Sequence, residues 1–454
     1  MPKSKRKKYL SFVLALYLFP TLLYSLSVPL WEAPDEPSHY LYIRRISDGK
    51  GFRPPRPTGK MDSVWSERYI YSLYQRSQPP LYYITAAPVM KILAARVLPL
   101  GDQIAYARVR PDFSGRGNLF IHARKNLWSI RSDELRGHLL RLFSVLLGAI
   151  TVCFIFQTAL LVVPRSPQLA LAGAGFAATL PQFNFVTGVI GNDSLAALMG
   201  AATLFFLVRL ARKDRPGQRG EFFGLGILLS LALLTKFNLL FLLPVSLVVV
   251  ILKARDAGSG KTGLTLCFLT FLPPLLLAVA GILFLGPETL LKMKILFHRL
   301  FSTRAELLTT THLRIMLLYI YRSFWAVFGW MSIPAGRWLY LIWTALVGAG
   351  LGGWLKFALR RRRPEPAARR LFGLLGLSFF FLLLGVLKNN LFVPQSQGRF
   401  LFPALGSISI LLAFGFLNLF PEKQGEKAVL LLLAVMVILN LVAFLAYLLP
   451  ASYP

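Results

Sequence analysis

The sequence predicts an all-α polytopic membrane protein, because hydrophobic residues make up 55% of the chain and charged residues only 15%. The mean hydropathy of +0.58 is also above that of soluble globular domains. Crossing the hydrocarbon core takes about 20 apolar residues, and on this basis we expect about eleven transmembrane helices. The predicted spans are 10–30, 138–163, 169–190, 194–208, two short helices within 222–252, 262–286, 338–355, 371–387, 400–420 and 428–449.

The distribution of basic residues predicts the orientation. The net charge is +32, but Lys and Arg occur in blocks between hydrophobic spans instead of along one amphipathic face, so we expect no nucleic-acid partner. By the positive-inside rule, the blocks at 3–8, 209–219, 253–261 and 360–370 are cytoplasmic. We therefore expect a multi-pass protein of the plasma (inner) membrane, with its N-terminus in the cytoplasm and its C-terminus outside.

Two apolar stretches need this orientation to be interpreted. Residues 222–252 have basic flanks on both sides, so the chain is expected to go out and return, turning near Lys236 at the outer face. Residues 80–98 cannot cross without reversing every later loop, and they are expected to form an interfacial or re-entrant helix. The whole chain, 1–454, is thus predicted to be one membrane-embedded domain. Its external parts would be a long loop at 31–137 with juxtamembrane helices and a second segment at 287–337.

The segment Pro-Asp-Glu-Pro-Ser-His directly follows the first span and contains the acidic pair Asp35 and Glu36. Scattered carboxylates in this external loop are expected only to solvate it. This pair differs, because Trp31 and Pro34 precede it and would fix it at the membrane boundary. A carboxylate held there can serve as a general base.

Other polar residues are predicted to lie at the same outer face. Taken singly, each is more simply a snorkelling cation or a helix cap, but ionisable residues that share one leaflet are typical of a polar-headgroup site. An acidic pair facing several cations suits group transfer from a phosphate-linked lipid, with Arg as the better phosphate ligand. A departing monophosphate does not demand a metal, so we expect no cofactor, without excluding a divalent metal. The candidates are Gln78, Asn192, Asp193, Lys236, Arg322, Lys388, Gln397 and Arg399.

Seven motifs in order carry a family resemblance, and together they cover nearly the whole chain. The chain resembles bacterial integral-membrane proteins that are catalogued as a domain of unknown function and grouped with GT-C glycosyltransferases. More distantly, it resembles the lipid A aminoarabinose transferase and protein O-mannosyltransferase branch. The resemblance implies a GT-C-like helical bundle. The motifs are PDEPSHYLY, QPPLYY, LRGHLLRLFSVLLG, PQFNFVTGVIGNDSLAAL, LALLTKFNLLFLLP, YRSFWAVFGWM and QGRFLFPAL.

In those relatives a first-loop Asp is the general base and the donor is a polyprenyl-phosphate sugar. The resemblance therefore implies that Asp35 is the base, with Glu36 beside it. One departure is that the aminoarabinose transferases have Lys before the Pro-Pro pair, where this chain has Gln78. The candidates to replace that Lys are His39, Arg141 and Lys388, and spacing does not choose among them.

The hypothesis is an inverting glycosyltransferase in the bilayer that moves a sugar from a polyprenyl-phosphate donor to a glycan, lipid or protein acceptor at the outer face. Trp325 and Trp330 are expected either to anchor the interface or to stack on sugar. The alternatives are a flippase or transporter of a lipid-linked sugar and a non-catalytic assembly subunit. Transporters usually place charges at the membrane midplane, whereas most candidates here lie at span ends, which favours the enzyme.

Overall fold

The computed structural model describes most of the hydrophobic segments of the chain. Parts of the two predicted external segments, 52–77, 95–131 and most of 286–300, lie outside the described residues. The structure describes residues 3–51, 78–94, 132–214, 217–285, 301–360 and 366–452, together with Lys294 and His298.

Helices form nearly all of the described chain. Pairs of short helices and 3₁₀ turns occur where the sequence places Pro, Gly or Asn inside apolar runs. The helices of the amino-terminal half are α1 (Lys3–Ser27), α2 (Glu36–Ser47), α3 (Leu81–Ala94), α4 (Ser132–Val162), α5 (Pro167–Ala178), α6 (Pro181–Thr187), α7 (Asn192–Ala211) and α8 (Arg219–Leu233).

The carboxy-terminal half continues this pattern and adds one antiparallel pair of two-residue strands, β1 (Val327–Phe328) and β2 (Ile333–Pro334). Its α-helices are α9 (Leu242–Ala257), α10 (Gly260–Leu285), α11 (Thr310–Trp325), α12 (Arg337–Leu359), α13 (Pro366–Asn390), α14 (Leu405–Asn418), α15 (Gly425–Val442) and α16 (Leu449–Ser452). The 3₁₀ and π segments are Phe237–Phe241, Ala305–Leu307, Gly398–Ala404, Glu422–Gln424 and Ala443–Leu448.

The all-α polytopic fold class is confirmed. Within the described residues nine helices are long and apolar enough to cross a membrane, or ten if the pair α5 and α6 is one bent span. The predicted count of eleven is not confirmed. The difference is α8, which has 15 residues. At 1.5 Å per residue it is only about 22 Å long, shorter than a usual span, although it connects the basic end of α7 to Lys236, which contacts Asp193 at the other end of α7.

The stretch predicted as one span at 169–190 is broken. The axes of α5 and α6 differ by 63°, and Pro181 occupies the first position of α6. The carbonyl groups freed at the break are satisfied by two Asn side chains. Asn184 Nδ2 donates to Ala178 O at 2.9 Å, and Asn440 Nδ2 donates to Thr179 O at 2.8 Å. Non-helical backbone at membrane depth is tolerated when its polar groups are satisfied in this way.

A small aromatic core holds the two short helices after the first span. It contains Tyr40 and Tyr42 of α2 and Tyr82 and Tyr83 of α3, packed against residues of α4 and α7. The ring centroids of Tyr42 and Tyr83 are 4.3 Å apart. The described part of the predicted helix at 80–98 is α3, which is not among the candidate spans of the described residues.

A fully buried ion pair joins α2 to α4. Arg141 Nε donates to Glu36 Oε1 and its Nη2 donates to Oε2, each at 2.7 Å, and both side chains are 0% exposed. The guanidinium also donates to the carbonyl oxygens of Ser25, Val28 and Pro29, at 2.8, 2.6 and 3.0 Å. These bonds occupy all its N–H donors, so Arg141 fastens the end of α1 to the bundle.

The Glu36 carboxylate also makes several buried hydrogen bonds. It accepts from the backbone N–H of Trp31 at 2.9 Å and of Ile190 at 3.0 Å, in addition to Arg141. The exit of α1, the start of α2, the middle of α4 and the turn before α7 therefore meet at one carboxylate. The role of Arg141 as a substrate ligand and that of Glu36 as a catalytic neighbour are corrected here, because neither side chain is accessible.

We expect Glu36→Gln to destabilise the protein strongly, because it leaves the buried Arg141 charge without its counter-ion. Breaking such a pair costs about 3–5 kcal/mol. The measurement is the thermal unfolding midpoint of the detergent-purified protein. The control is Glu426→Gln, which breaks an exposed ion pair with Lys5 and should not shift the midpoint. Equal midpoints for Glu36→Gln and wild type would contradict this assignment.

Candidate active site

Asp35 is held in an unusual backbone conformation. It precedes α2 with φ 65° and ψ 0°, the left-handed region, which Asp tolerates better than most non-glycine residues. Its neighbour Glu36 is fixed by Arg141, so the two adjacent carboxylates separate. That of Glu36 enters the core, whereas the side chain of Asp35 remains 27% exposed.

Four charged side chains from distant parts of the chain form a charge cluster: Asp35, Asp193, Lys236 and Arg399. Arg399 Nη2 donates to Asp35 Oδ2 at 3.0 Å, and its Nη1 lies 3.5 Å from Asp193 Oδ2. Lys236 Nζ donates to Asp193 Oδ1 at 2.5 Å. The signs alternate along the cluster, so each buried charge has an opposite neighbour.

Neutral amides extend the charge cluster on both sides. Gln397 Oε1 accepts from Arg399 Nε at 2.6 Å. Asn192 Oδ1 accepts from Lys236 Nζ, and its Nδ2 donates to Gln78 Oε1, both at 3.2 Å. The residues predicted to converge that do meet here are thus Asp35, Gln78, Asn192, Asp193, Lys236, Gln397 and Arg399.

Glycine at 398 positions Arg399. A Cβ atom on Gly398 would lie 2.2 Å from Phe324 N, so only Gly lets this segment approach α11 so closely. The Gly398 N–H donates to Ser323 Oγ at 2.7 Å, which fixes the approach. The Gln-Gly-Arg sequence therefore places two side chains in the site and uses the residue between them for packing.

The other cluster residues lie at helix ends. Asp193 is in the first turn of α7, where a negative charge is favoured by the helix dipole. Lys236 follows α8 at the break before the 3₁₀ segment Phe237–Phe241, where the sequence predicts a turn. Burial lowers the pKa of Lys236, and the nearby Asp193 carboxylate opposes that shift.

His39 lies beside the charge cluster in an aromatic environment. Its ring stacks on Tyr83, with centroids 5.7 Å apart, and its Nδ1 is 3.0 Å from Tyr83 Oη. Burial lowers the pKa of His39 to about 4, although Asp35 opposes this shift, so the ring is neutral at physiological pH. The Tyr82 hydroxyl accepts from Gly191 N at 3.1 Å, next to Asn192.

Tyr82, Tyr83 and Met331 were not among the predicted site residues. The motif QPPLYY contains both tyrosines, and its adjacent aromatic residues after Pro-Pro were the available signal. Met331 has a positive φ of 66° and lines a small pocket with Pro34, Asp193 and Arg399. In the part of the chain that the structure describes, no three His, Cys, Asp or Glu side chains are placed to hold a metal ion.

Three predicted residues lie apart from the charge cluster. Trp325 is 1% exposed and stacks on Trp343, with centroids 5.4 Å apart, so it packs in the core instead of anchoring the interface or stacking on sugar, the two predicted alternatives. The Arg322 guanidinium lies over the Tyr340 ring at 5.6 Å. Lys388 Nζ donates to the Ser302 carbonyl. The contacts among described residues do not connect either cation to Asp35.

We expect His39 to make stability depend on pH. Its pKa is about 4 in the folded protein against an ordinary 6.5, so the unfolded chain binds more protons between these values. Stability should therefore fall as pH drops from about 6.5 through 4, by up to roughly 3 kcal/mol.

The measurement is the thermal midpoint against pH for wild type and His39→Gln. In His39→Gln the midpoint should fall less steeply as pH drops than in the wild type. In His298→Gln, at an exposed histidine, it should fall as in the wild type. Parallel curves for wild type and His39→Gln would refute the prediction.

A family model connects part of the sequence to known proteins. Residues 130–277 match the family described as dolichyl-phosphate-mannose-protein mannosyltransferase. This segment contains Arg141, Asn192, Asp193 and Lys236. No curated protein matches the chain significantly in sequence.

Two solved structures are similar in fold. ArnT from Cupriavidus metallidurans bound to undecaprenyl phosphate superposes with a TM-score of 0.50 at 13% identity, over 93% of this chain and 62% of ArnT. The oligosaccharyltransferase AglB from Archaeoglobus fulgidus, in complex with an inhibitory peptide and a dolichol-phosphate, gives 0.52 at 12% identity, over 99% of this chain and 56% of AglB.

The chain thus spans less than two thirds of the length of either protein. Together, the family match and the shared architecture confirm the predicted resemblance: this chain has the fold of the GT-C glycosyltransferase superfamily.

Proposed function

We propose that this protein is a glycosyltransferase that moves a sugar from a polyprenyl-phosphate donor to an acceptor hydroxyl at the outer face of the membrane. The observation that carries the proposal is the charge cluster, in which a partly exposed carboxylate lies within 3.0 Å of a guanidinium and close to a buried ammonium. A general base and phosphate-binding cations side by side suit this reaction.

In the proposed reaction Asp35 accepts the proton of the acceptor hydroxyl. The hydroxyl oxygen forms a bond to the anomeric carbon as the bond from that carbon to the phosphate oxygen breaks. The products are the glycoside, with inverted configuration, and polyprenyl phosphate. Arg399 and Lys236 neutralise the charge that develops on the departing phosphate.

Arg399 has a second role in this proposal. The two carboxylates and two cations of the charge cluster sum to zero formal charge, so an incoming phosphate competes with Asp35 and Asp193 for the cations. When Arg399 turns to the phosphate, the Asp35 carboxylate is released towards the acceptor. Donor binding would thereby prepare the base.

Two further observations support the proposal. The solved neighbours were captured with undecaprenyl phosphate and with a dolichol-phosphate, the same chemical class as the proposed donor. The basic blocks of the sequence lie at the helix ends opposite the charge cluster, as in a protein whose site faces outward. The same distribution of basic residues supports the proposed plasma-membrane location with a cytoplasmic N-terminus.

We expect Asp35→Asn to lower the release of polyprenyl phosphate about 10²–10⁴-fold, because the amide cannot accept a proton. The purified protein is incubated with radiolabelled polyprenyl-phosphate sugars and candidate acceptors, and released lipid phosphate is measured. Asp48→Asn is the matched control, since Asp48 is exposed at the other end of α2 and should keep the wild-type rate.

A wild-type rate in Asp35→Asn would overturn the base assignment. Donor binding without release, in the wild type and with acceptors present, would instead favour a flippase or transporter of the lipid-linked sugar. That alternative uses the same cations but breaks no bond.

We expect Lys236→Met to weaken donor binding about tenfold or more, because a charge-assisted hydrogen bond to phosphate is lost. Binding is measured as the Kd of the donor in the absence of an acceptor. Lys236→Arg retains the cation and should restore much of the affinity, and Lys91→Met, at an exposed lysine of α3, should not change it. Unchanged affinity in Lys236→Met would remove Lys236 from the phosphate site.

A further inference from the structure

A second polar pocket lies between α9 and α13, at the end of the bundle opposite the charge cluster. Its volume is about 470 Å³. The helix α7 separates the two sites: Asp193 is in its first turn, and Lys213 of the pocket lies two residues beyond its last residue, Ala211. Its 20 residues span about 30 Å, the thickness of the hydrocarbon core. The two sites therefore face opposite membrane surfaces.

Cations dominate the mouth of this pocket. Its charged lining consists of Lys213, Arg255, Arg369 and Arg370 with one carboxylate, Asp256, which gives a net charge of +3. Basic residues that only orient a helix snorkel outward as separate side chains. Here they line one concavity contributed by three parts of the chain, which is the arrangement that binds an anionic group.

Arg370 provides an independent sign of a missing ligand. Its side chain is only 9% exposed, and its Nη1 donates to both Asp256 oxygens, at 2.9 and 2.8 Å. Its Nε and Nη2 are buried and have no hydrogen-bond partner among the described residues. Buried guanidinium donors without an acceptor are costly, so these two donors indicate an acceptor that the described residues do not supply.

The deeper wall of the pocket is apolar. Val248 and Leu252 precede Arg255 on α9, and Leu374 and Leu377 follow Arg370 on α13, so both helices change from charged to apolar towards the membrane interior. Val248 and Arg255 are seven positions apart, which corresponds to about 10 Å of helix. A free anion needs only the charged mouth, whereas a lipid fills both the mouth and the apolar wall.

We propose that this pocket binds an anionic glycerophospholipid, with its phosphate at Arg370 and the neighbouring cations and an acyl chain along the apolar wall. The bound phosphodiester accepts from the two unpartnered Arg370 donors. This site is separate from the charge cluster and does not depend on the reaction proposed there. Basic pockets between transmembrane helices are a recognised setting for acidic lipid headgroups.

The test compares lipid retention by the full-length purified protein, measured by native mass spectrometry with phosphatidylglycerol or phosphatidylcholine as the probe. We expect the wild type to retain phosphatidylglycerol preferentially. Arg370→Gln should lower that retention about fivefold, since one basic residue at an anionic lipid is worth about 1 kcal/mol.

Two further variants separate binding from folding. Gly373 lines the pocket, and a Cβ there would meet nothing within 4 Å, so Gly373→Leu should fold and obstruct the site by volume. It should lower phosphatidylglycerol retention while Arg370 stays intact. Arg360→Gln is the matched control, because Arg360 is exposed at the end of α12 and does not line the pocket.

Equal retention of the two lipids by the wild type would overturn the proposal, as would unchanged phosphatidylglycerol retention in both Arg370→Gln and Gly373→Leu. A final arm adds millimolar inorganic phosphate. If phosphate alone displaces phosphatidylglycerol, the pocket binds a free anion and the lipid assignment is wrong. Persistence of the lipid in phosphate supports the assignment.

Discussion

The buried pair between Glu36 and Arg141 is the interaction on which the candidate site depends. It connects the exit of the first span, the helix that follows it, the long helix α4 and the turn before α7. Because Asp35 is the adjacent residue, the pair also fixes the backbone from which that carboxylate extends. Two neighbouring acidic residues thus have different roles: Glu36 is buried and stabilises the fold, and Asp35 remains accessible at 27% exposure. Charged groups so deep in a membrane protein are costly unless fully paired, and here every guanidinium donor has a partner.

The charge cluster likewise pairs each charge with an opposite one, but its contacts are less uniform. Asp35 and Arg399 are 364 residues apart in sequence but in direct contact, and Asp193 and Lys236 complete an alternating series of charges. Unlike the Glu36 pair, this cluster borders a small pocket and includes longer contacts, such as the 3.5 Å between Arg399 and Asp193. The charges of this cluster sum to zero without a ligand and can exchange partners with one. The pair of Glu36 and Arg141 cannot, because every guanidinium donor is already occupied.

The sequence was sufficient for the fold class, the turn at Lys236 and the convergence of most helix-end polar residues, but not for Arg322 and Lys388, which lie elsewhere. Charge position and hydropathy determine which end of a span a residue occupies, and this information located Asp193, Lys236 and Arg399. It could not distinguish Asp35 from Glu36 by burial, since adjacent residues have the same hydropathy environment. Nor could it tell that Trp325 turns into the core or that Arg322 lies over an aromatic ring, because side-chain direction depends on packing partners far away in the chain. The span count differed because the 15 residues of α8 are fewer than a usual span contains, and apolar composition does not reveal that the chain bends at Pro181.

The break between α5 and α6 has a consequence for how the protein is made. The carbonyl of Thr179 receives its hydrogen bond from Asn440, which is synthesised 261 residues later. Until α15 has entered the bilayer, a polar backbone group next to the break lacks that partner in a medium that offers little water. The break between α5 and α6 is therefore completed only late in biosynthesis, after most of the spans have been inserted. The final geometry of this break is in this sense reached after insertion, when the distant helix docks and not when the local segment leaves the ribosome.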